Sequence, residues 1–337
     1  MAGHKSLNRI LHRCLEECDA TMKIASVTSW KDSLTTFQAK FDIQVMNKNG
    51  FKEPERVKNR LIKKHDIMIQ YFEKTFGDFL DNYDYNRIIP EDNSNLQDCI
   101  WVCWWQGYDA APDLVKECIN SIKRNAGNHK VIIIDDSNYR DYVIIPEWVE
   151  KKREKGIITR TNFSDLLRLS LLSQHGGMWL DATFFCAKNE LEDYFKYPLW
   201  SIKRPDYLHC SVASGYFAGY SLKCDSEYRW IFTTIRDFFL HYWETNDSLI
   251  DYLLVDYMIV LAQRKDVRIA KAFQEIIPNN DCCDDLYKVL DEPYKEEIWE
   301  KLTQNTALFK LTWKQNFEEQ KNGIDTFYGK LLKGELR

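Results

Sequence analysis

Residues 162–183 read NFSDLLRLSLLSQHGGMWLDAT, and the fold turns on this stretch. Ser164 is a natural N-cap, and Asp165 in the first turn suits the positive end of a helix dipole. Leu167, Leu171 and Leu172 recur at helical spacing, while Asp165 and Arg168, three apart, share a face near the N-terminal end. Gly176 and Gly177 stop the helix and permit a tight reversal. Residues 178–185 then read as a short buried strand carrying one charge, Asp181. A carboxylate inside an apolar strand is costly unless it is paired, hydrogen-bonded or metal-bound. In open α/β sheets ligands sit beyond the carboxyl ends of strands, which is where Asp181 emerges.

Upstream, Ile100-Trp101-Val102-Cys103-Trp104-Trp105 is a continuous apolar run, as expected of a strand buried on both faces. Residues 112–126 are amphipathic, with Leu114, Val115, Cys118, Ile119 and Ile122 on one face and Pro112 and Gly127 as start and stop signals. A second apolar run, 129–136, ends in Asp135 and Asp136. Strand, helix, strand predicts a right-handed βαβ unit and hence a parallel sheet. The turn after the first strand, Gln106-Gly107-Tyr108-Asp109-Ala110-Ala111, lacks GxGxxG, which disfavours a dehydrogenase-type dinucleotide site. Residues 1 to about 86 carry helical periodicity (Ile10, Leu11, Cys14 and Leu15, then Leu61, Ile67, Met68, Tyr71 and Phe72), with a turn at 47–50 and a polar connector at 89–95. The expected organisation is a helical accessory subdomain over 1–90 and an α/β domain over 91–337, its Rossmann-like, mostly parallel sheet flanked by helices. Residues 246–257 also read as a helix, with Ile250, Leu253, Leu254 and Tyr257 on its apolar face. Asp256 lies within that apolar run, where it is either a candidate site carboxylate or a solvent-exposed residue on the opposite face.

Composition narrows the classes further. The 337 residues are 45% hydrophobic and 29% charged, near globular averages, so disordered and fibrous readings fall away. Lys and Arg number 46 against 51 Asp and Glu, net −5, so there is no basic footprint for nucleic acid. No stretch reaches the ~18 apolar residues of a spanning helix. Met1–Ser6 shows no secretory h-region, and the ten cysteines include no CxxC pair, so a cytosolic compartment with free thiols is expected. His12, Cys14 and Cys18 read as ordinary reduced residues rather than a metal cluster. Asp281-Cys282-Cys283-Asp284-Asp285 reads as a solvated acidic turn. The basic run Lys58, Arg60, Lys63, Lys64 and His65 is either a solvated helix face or a contact for anionic lipid at the inner face of a membrane. Aromatic content is high, with 11 Trp, 18 Tyr and 18 Phe. Phe238, Phe239, Tyr242 and Trp243 fall in apolar helical patterns and are expected in the core.

Ser164-Asp165-x-x-Arg168 followed by Gly176-Gly177-x-Trp179-x-Asp181 resembles the S-D-x-x-R…G-G-x-Y/W-x-D-x-D signature of GT-A glycosyltransferases of the glycosyltransferase 32 type. Trp179-Leu180-Asp181-Ala182-Thr183 is similar to the form found in the capsular polysaccharide synthesis branch. Trp101-x-x-Trp104-Trp105-Gln106-Gly107, Ala111-Pro112 and Lys310-Leu311-Thr312-Trp313-Lys314 add weaker likeness, so that it covers about residues 99 to 315. The resemblance implies a GT-A fold and transfer of a hexosyl group from a nucleoside diphosphate sugar, a UDP-sugar first among them. The acceptor would be a saccharide of a bacterial capsule or surface polysaccharide, lipid-linked in such pathways, and configuration would be retained. It also implies Mn²⁺ or Mg²⁺ held at Asp181 and Thr183. Asp165, Arg168, Asp181 and Asp256 become the candidate catalytic residues. Trp104, Trp105, Gln106, Gly107, Gly177, Lys310 and Lys314, with Asp165 and Arg168, become the candidate donor-binding set. Thr183 departs from the pattern by standing where a second acid is expected, and a hydroxyl is a weaker, uncharged ligand. That departure leaves room for a noncatalytic carbohydrate- or nucleotide-binding protein on the same scaffold, which donor turnover would distinguish.

Overall fold

Between Gly3 and Gly50 the chain has neither glycine nor proline, and it builds two long helices, α1 (Ala2–Val27) and α2 (Trp30–Lys48). The structure, a computed structural model, describes residues 2–336, with side chains from residue 15 onward. The side chains of Ile10, Leu11, His12 and Cys14 therefore lie outside the described residues. Ser29 caps α2 by accepting the Asp32 backbone N–H. Helices α3 (Glu55–Thr75) and α4 (Gly77–Asp81) follow.

The apolar run after residue 99 becomes β1 (Ile100–Cys103). Helix α5 (Asp113–Arg124) starts directly after Pro112 and buries Leu114, Val115, Cys118, Ile119 and Ile122. It leads to β2 (Val131–Ile134), parallel to β1 with Ile100 opposite Val131, so the expected βαβ unit is present. After α6 (Glu147–Glu154), helix α7 (Arg160–Gln174) leads into β3 (Gly177–Leu180), parallel to β1 on its other edge. Gly177 must be glycine: its φ is +80°, and a Cβ there would lie 2.4 Å from the Cys99 carbonyl oxygen. The strand read over 178–185 is two strands. It breaks at 181–183, and β4 (Phe184–Cys186) leaves the sheet to pair with β7 (Leu308–Lys310). Between them come α8 (Leu191–Phe195), β5 (Leu199–Ser201), β6 (Ser221–Cys224), α9 (Arg229–Thr245) and α10 (Leu254–Lys265).

The central sheet runs β2-β1-β3-β6-β5. Strand β6 is antiparallel to both its neighbours, so the other four point one way and the sheet is mostly parallel. Its two faces follow the period of two in the sequence. Trp101, Ile132, Trp179 and Leu222 pack against α7, α9 and α10. Ile100, Val102, Met178 and Leu180 pack against α5 and the β4–β7 pair. Phe238, Phe239, Tyr242 and Trp243 are buried as expected. Ala20, Ile24, Ile67, Met68 and Phe72 of the N-terminal helices join the α9–α10 side of this core.

Two local readings change. Helix α7 is capped by Thr159, whose hydroxyl accepts the Asn162 N–H, so Ser164 is not the cap. The Ser164 hydroxyl instead donates to the Arg160 carbonyl and accepts the Trp105 indole N–H. Residues 247–253 form no helix, and α10 starts only at Leu254, which puts Asp256 in its first turn.

A charged cavity at the carboxyl edge of the sheet

Strand β3 ends at Leu180, so Asp181 escapes the fully apolar setting its sequence implied. Its backbone N–H binds the Tyr220 carbonyl, and its carbonyl accepts the Phe184 N–H. One carboxylate oxygen takes the Trp179 indole N–H at 3.0 Å. The other takes the Lys310 ammonium at 2.7 Å. That ammonium also donates to the Thr183 hydroxyl at 2.8 Å, so one cation spans both residues. The antiparallel register of β4 with β7, which sets Phe184 opposite Lys310, brings this lysine to the site.

On α7, Asp165 and Arg168 project from one face into the same region and pair at 2.9 Å, both nearly buried. The guanidinium lies 3.8 Å from Asp181, sits over the Trp179 ring and donates to the Gly219 carbonyl. Asp256 approaches from α10, and a Cβ added at Gly219 would stand 2.5 Å from its Oδ1. That Oδ1 is buried without a hydrogen-bond partner, as is Arg168 Nε. Asp165, Arg168, Asp181 and Asp256 thus line one cavity of about 340 Å³.

Three carboxylates around one guanidinium cannot all ionise freely. Burial raises the Asp165 carboxyl, with Arg168 opposing and Asp256 and Asp181 adding to the rise, to about 7. Burial likewise lifts Asp256, against the pull of Arg168, to about 6. Asp181 goes the other way. Burial would raise it, but Lys310 and Arg168 outweigh that and hold it below the usual carboxylate range. Asp181 is the standing anion of the site, while Asp165 and Asp256 titrate near neutrality.

These donors do not fit a resident divalent cation. Both oxygens of Asp181 and the hydroxyl of Thr183 are engaged, two of the three by the Lys310 ammonium. No group of three or more His, Cys, Asp or Glu side chains completes a ligand set among the described residues.

The other expected donor residues divide. Trp104, half-buried at the end of β1, meets Trp313 edge to face at 5.6 Å, and its indole N–H has no partner. Gln106 is exposed nearby, and Gly107 sits against the Asp135 carboxylate. Trp105 is not available for stacking on a base: it is buried against Tyr139 and Phe163, with Arg153 over its ring. Gly177 is not at the site either, since it opens β3 roughly 13 Å from Asp181 at ~3.3 Å per residue. Lys314 is exposed in the segment after β7, away from the cavity lining.

The cavity also holds residues that sequence reasoning missed. Arg204 pairs with Asp284 at 2.6 Å, donates to the Tyr220 hydroxyl and stacks on Tyr207. Tyr252 forms part of the opposite wall. Gly215 also lines the cavity, too close to the Arg204 carbonyl for any side chain. Helix α3 braces this wall from behind. His65 bridges the Tyr257 hydroxyl at 2.7 Å and the His209 carbonyl at 2.9 Å, and Lys64 pairs with buried Asp251 at 2.9 Å. The basic run 58–65 is therefore no continuous surface, for Lys64 and His65 are buried and Arg60 pairs with Asp42.

Fold and site together define an α/β protein with a mostly parallel sheet and a charged cavity at the carboxyl end of its third strand. The chain belongs to the capsular polysaccharide synthesis protein family, whose model matches residues 47–331. It is 29% identical over 110 residues to the O-glycosyltransferase braB of Annulohypoxylon truncatum, a match spanning 28% of this chain and 26% of that protein. The chain therefore corresponds to about a quarter of that relative's length. Among solved structures it is similar to the apo structure of the bifunctional glycosyltransferase WbbM, at 9% identity and a TM-score of 0.38, with 94% of this chain and 70% of the other covered. No described helix is long and apolar enough to cross a membrane.

Proposed function

We propose that this protein is a glycosyltransferase that moves a hexosyl group from a nucleoside diphosphate sugar, a UDP-sugar in the first instance, to a saccharide hydroxyl during capsule or surface polysaccharide assembly. The observation that carries this reading is the meeting of Asp165, Arg168, Asp181 and Asp256 around one cavity in a chain of this family. The nucleotide would lie along the carboxyl ends of β1 and β2, near Trp104 and Asp135. Arg168 would meet the phosphate next to the sugar, and Asp165 and Asp256 would accept hydrogen bonds from sugar or acceptor hydroxyls.

In the transfer, the bond between the anomeric carbon and the phosphate oxygen breaks, and its electron pair stays on the diphosphate. The acceptor oxygen bonds the same carbon from the same face and passes its proton to the departing phosphate oxygen. Configuration is retained without a covalent intermediate. A panel of nucleoside diphosphate sugars, assayed for released nucleoside diphosphate and for new glycoside, tests the reading. One donor should give both products in equal amounts with a saccharide acceptor, and D181N should abolish both. Tight donor binding with no release by the wild-type chain would refute it in favour of a binding protein.

A further inference from the structure

We propose that Lys310 takes the place of a divalent metal ion in this protein and neutralises the donor diphosphate. The inference rests on the reading of the cavity as a nucleoside diphosphate sugar site and names the cation of that site. Four observations carry it. The first is position: the β4–β7 ladder and the bond from the Leu311 N–H to the Thr183 carbonyl fix Lys310 beside the break after β3. The second is valence. The ammonium spends two N–H groups on Asp181 and Thr183, and an ammonium has three, so one remains for a phosphate oxygen.

The third observation is charge balance. A divalent cation between two carboxylates sums to zero, and so does an ammonium between one carboxylate and one hydroxyl. The threonine at 183 is thus the partner a monovalent cation requires, which accounts for the missing second acid. The fourth is the setting: the ammonium lies 5.2 Å from the centres of both the Phe184 and Tyr220 rings, whose faces favour a cation. As the anomeric bond breaks, the diphosphate gains one negative charge. Lys310 meets that charge with its remaining N–H.

The test uses the full chain, stripped with EDTA, and UDP, GDP and CDP as probes. Nucleotide binding is followed by titration calorimetry in EDTA and in Mn²⁺, and Mn²⁺ binding alone by the electron paramagnetic resonance of the free ion. The wild-type chain is expected to bind one of these nucleotides with the same affinity in both buffers and to leave Mn²⁺ free. K310A should weaken that binding about tenfold or more in EDTA. K310R, which keeps the charge, should recover most of it, and thermal melting of both variants reports whether they fold. Nucleotide binding that disappears from the wild-type chain in EDTA and returns with Mn²⁺ would overturn the role of Lys310 and leave the donor reading standing. So would a folded K310A that binds as well as the wild-type chain in EDTA. Failure of all three nucleotides to bind in either buffer would overturn the donor reading and the inference together.

Discussion

The substitution D256N is expected to strengthen the fold above neutral pH while it damages transfer, because Asp256 is held in a place that disfavours its charge. Its carboxyl is raised, mainly by burial and against the pull of Arg168, from 3.8 to about 6. At about 1.4 kcal/mol per tenfold change in proton affinity, ionised Asp256 costs the folded chain about 3 kcal/mol relative to the unfolded one. Relaxation of the cavity wall reduces this, so a gain of ~1–3 kcal/mol is expected from D256N at pH 8. The sign follows from proton uptake. A carboxyl raised on folding favours the folded state most below the unfolded value, and that contribution is lost as pH rises through about 6. The advantage of D256N should therefore be small at pH 4 and full at pH 8. Urea unfolding of both proteins across that range measures it, with initial rates of sugar transfer taken on the same samples. Transfer should fall about 10²-fold, the usual loss when a positioned carboxylate is neutralised. A stability difference that does not change with pH, or a D256N protein that is weaker at pH 8, would refute the reasoning.

Two further substitutions probe the walls of the same cavity. G219A adds a methyl 2.5 Å from Asp256 Oδ1, so it should cost about tenfold or more in kcat/KM with little change in melting temperature; wild-type kinetics would show that the contact is slack. K64M leaves Asp251 buried without its closest cation and should lower unfolding free energy by about 3–5 kcal/mol, most of it recovered in the K64M/D251L double variant, as read from urea midpoints. Asp251 is raised by burial but held by Lys64 and Lys40 to about 2. The stability it supplies should be complete above about pH 4 and fade as pH falls towards 2, a loss that K64M should blunt.

The apolar runs that became β1 and β2, and the amphipathic stretch that became α5, were legible because their periods are set by neighbours close in sequence. The same local signal misread residues 246–253. Ile250 and Leu253 stand at helical spacing, but Asp251 accepts the Leu253 N–H and pairs with Lys64 on α3, which holds the segment as a loop. No pattern within the segment announces a partner that far up the chain. Ser164 resembled a cap, yet Thr159 with Asn162 closes the turn earlier and frees Ser164 to hold Trp105. The expected set Asp165, Arg168 and Asp181 lies within one helix-turn-strand, so its meeting was readable. Lys310 entered only as one of two lysines that could face phosphate. What separates it from Lys314 is the pairing of β4 with β7, a contact between distant segments. Arg204 carried no signal, since its guanidinium is aimed by Asp284 and Tyr207 across a loop.

The brace that α3 supplies through Lys64 and His65 has a consequence for anyone building hybrids of this family. A graft that exchanged only the chain beyond residue 90 would transplant the sheet and its charged edge but leave the scaffolding of Tyr257, Asp251 and the His209 loop behind. The hybrid would inherit one parent's donor edge and the other parent's support for the opposite wall. Any preference that the wall confers would then travel with the N-terminal helices, so crossover points belong ahead of α3 rather than at the polar connector.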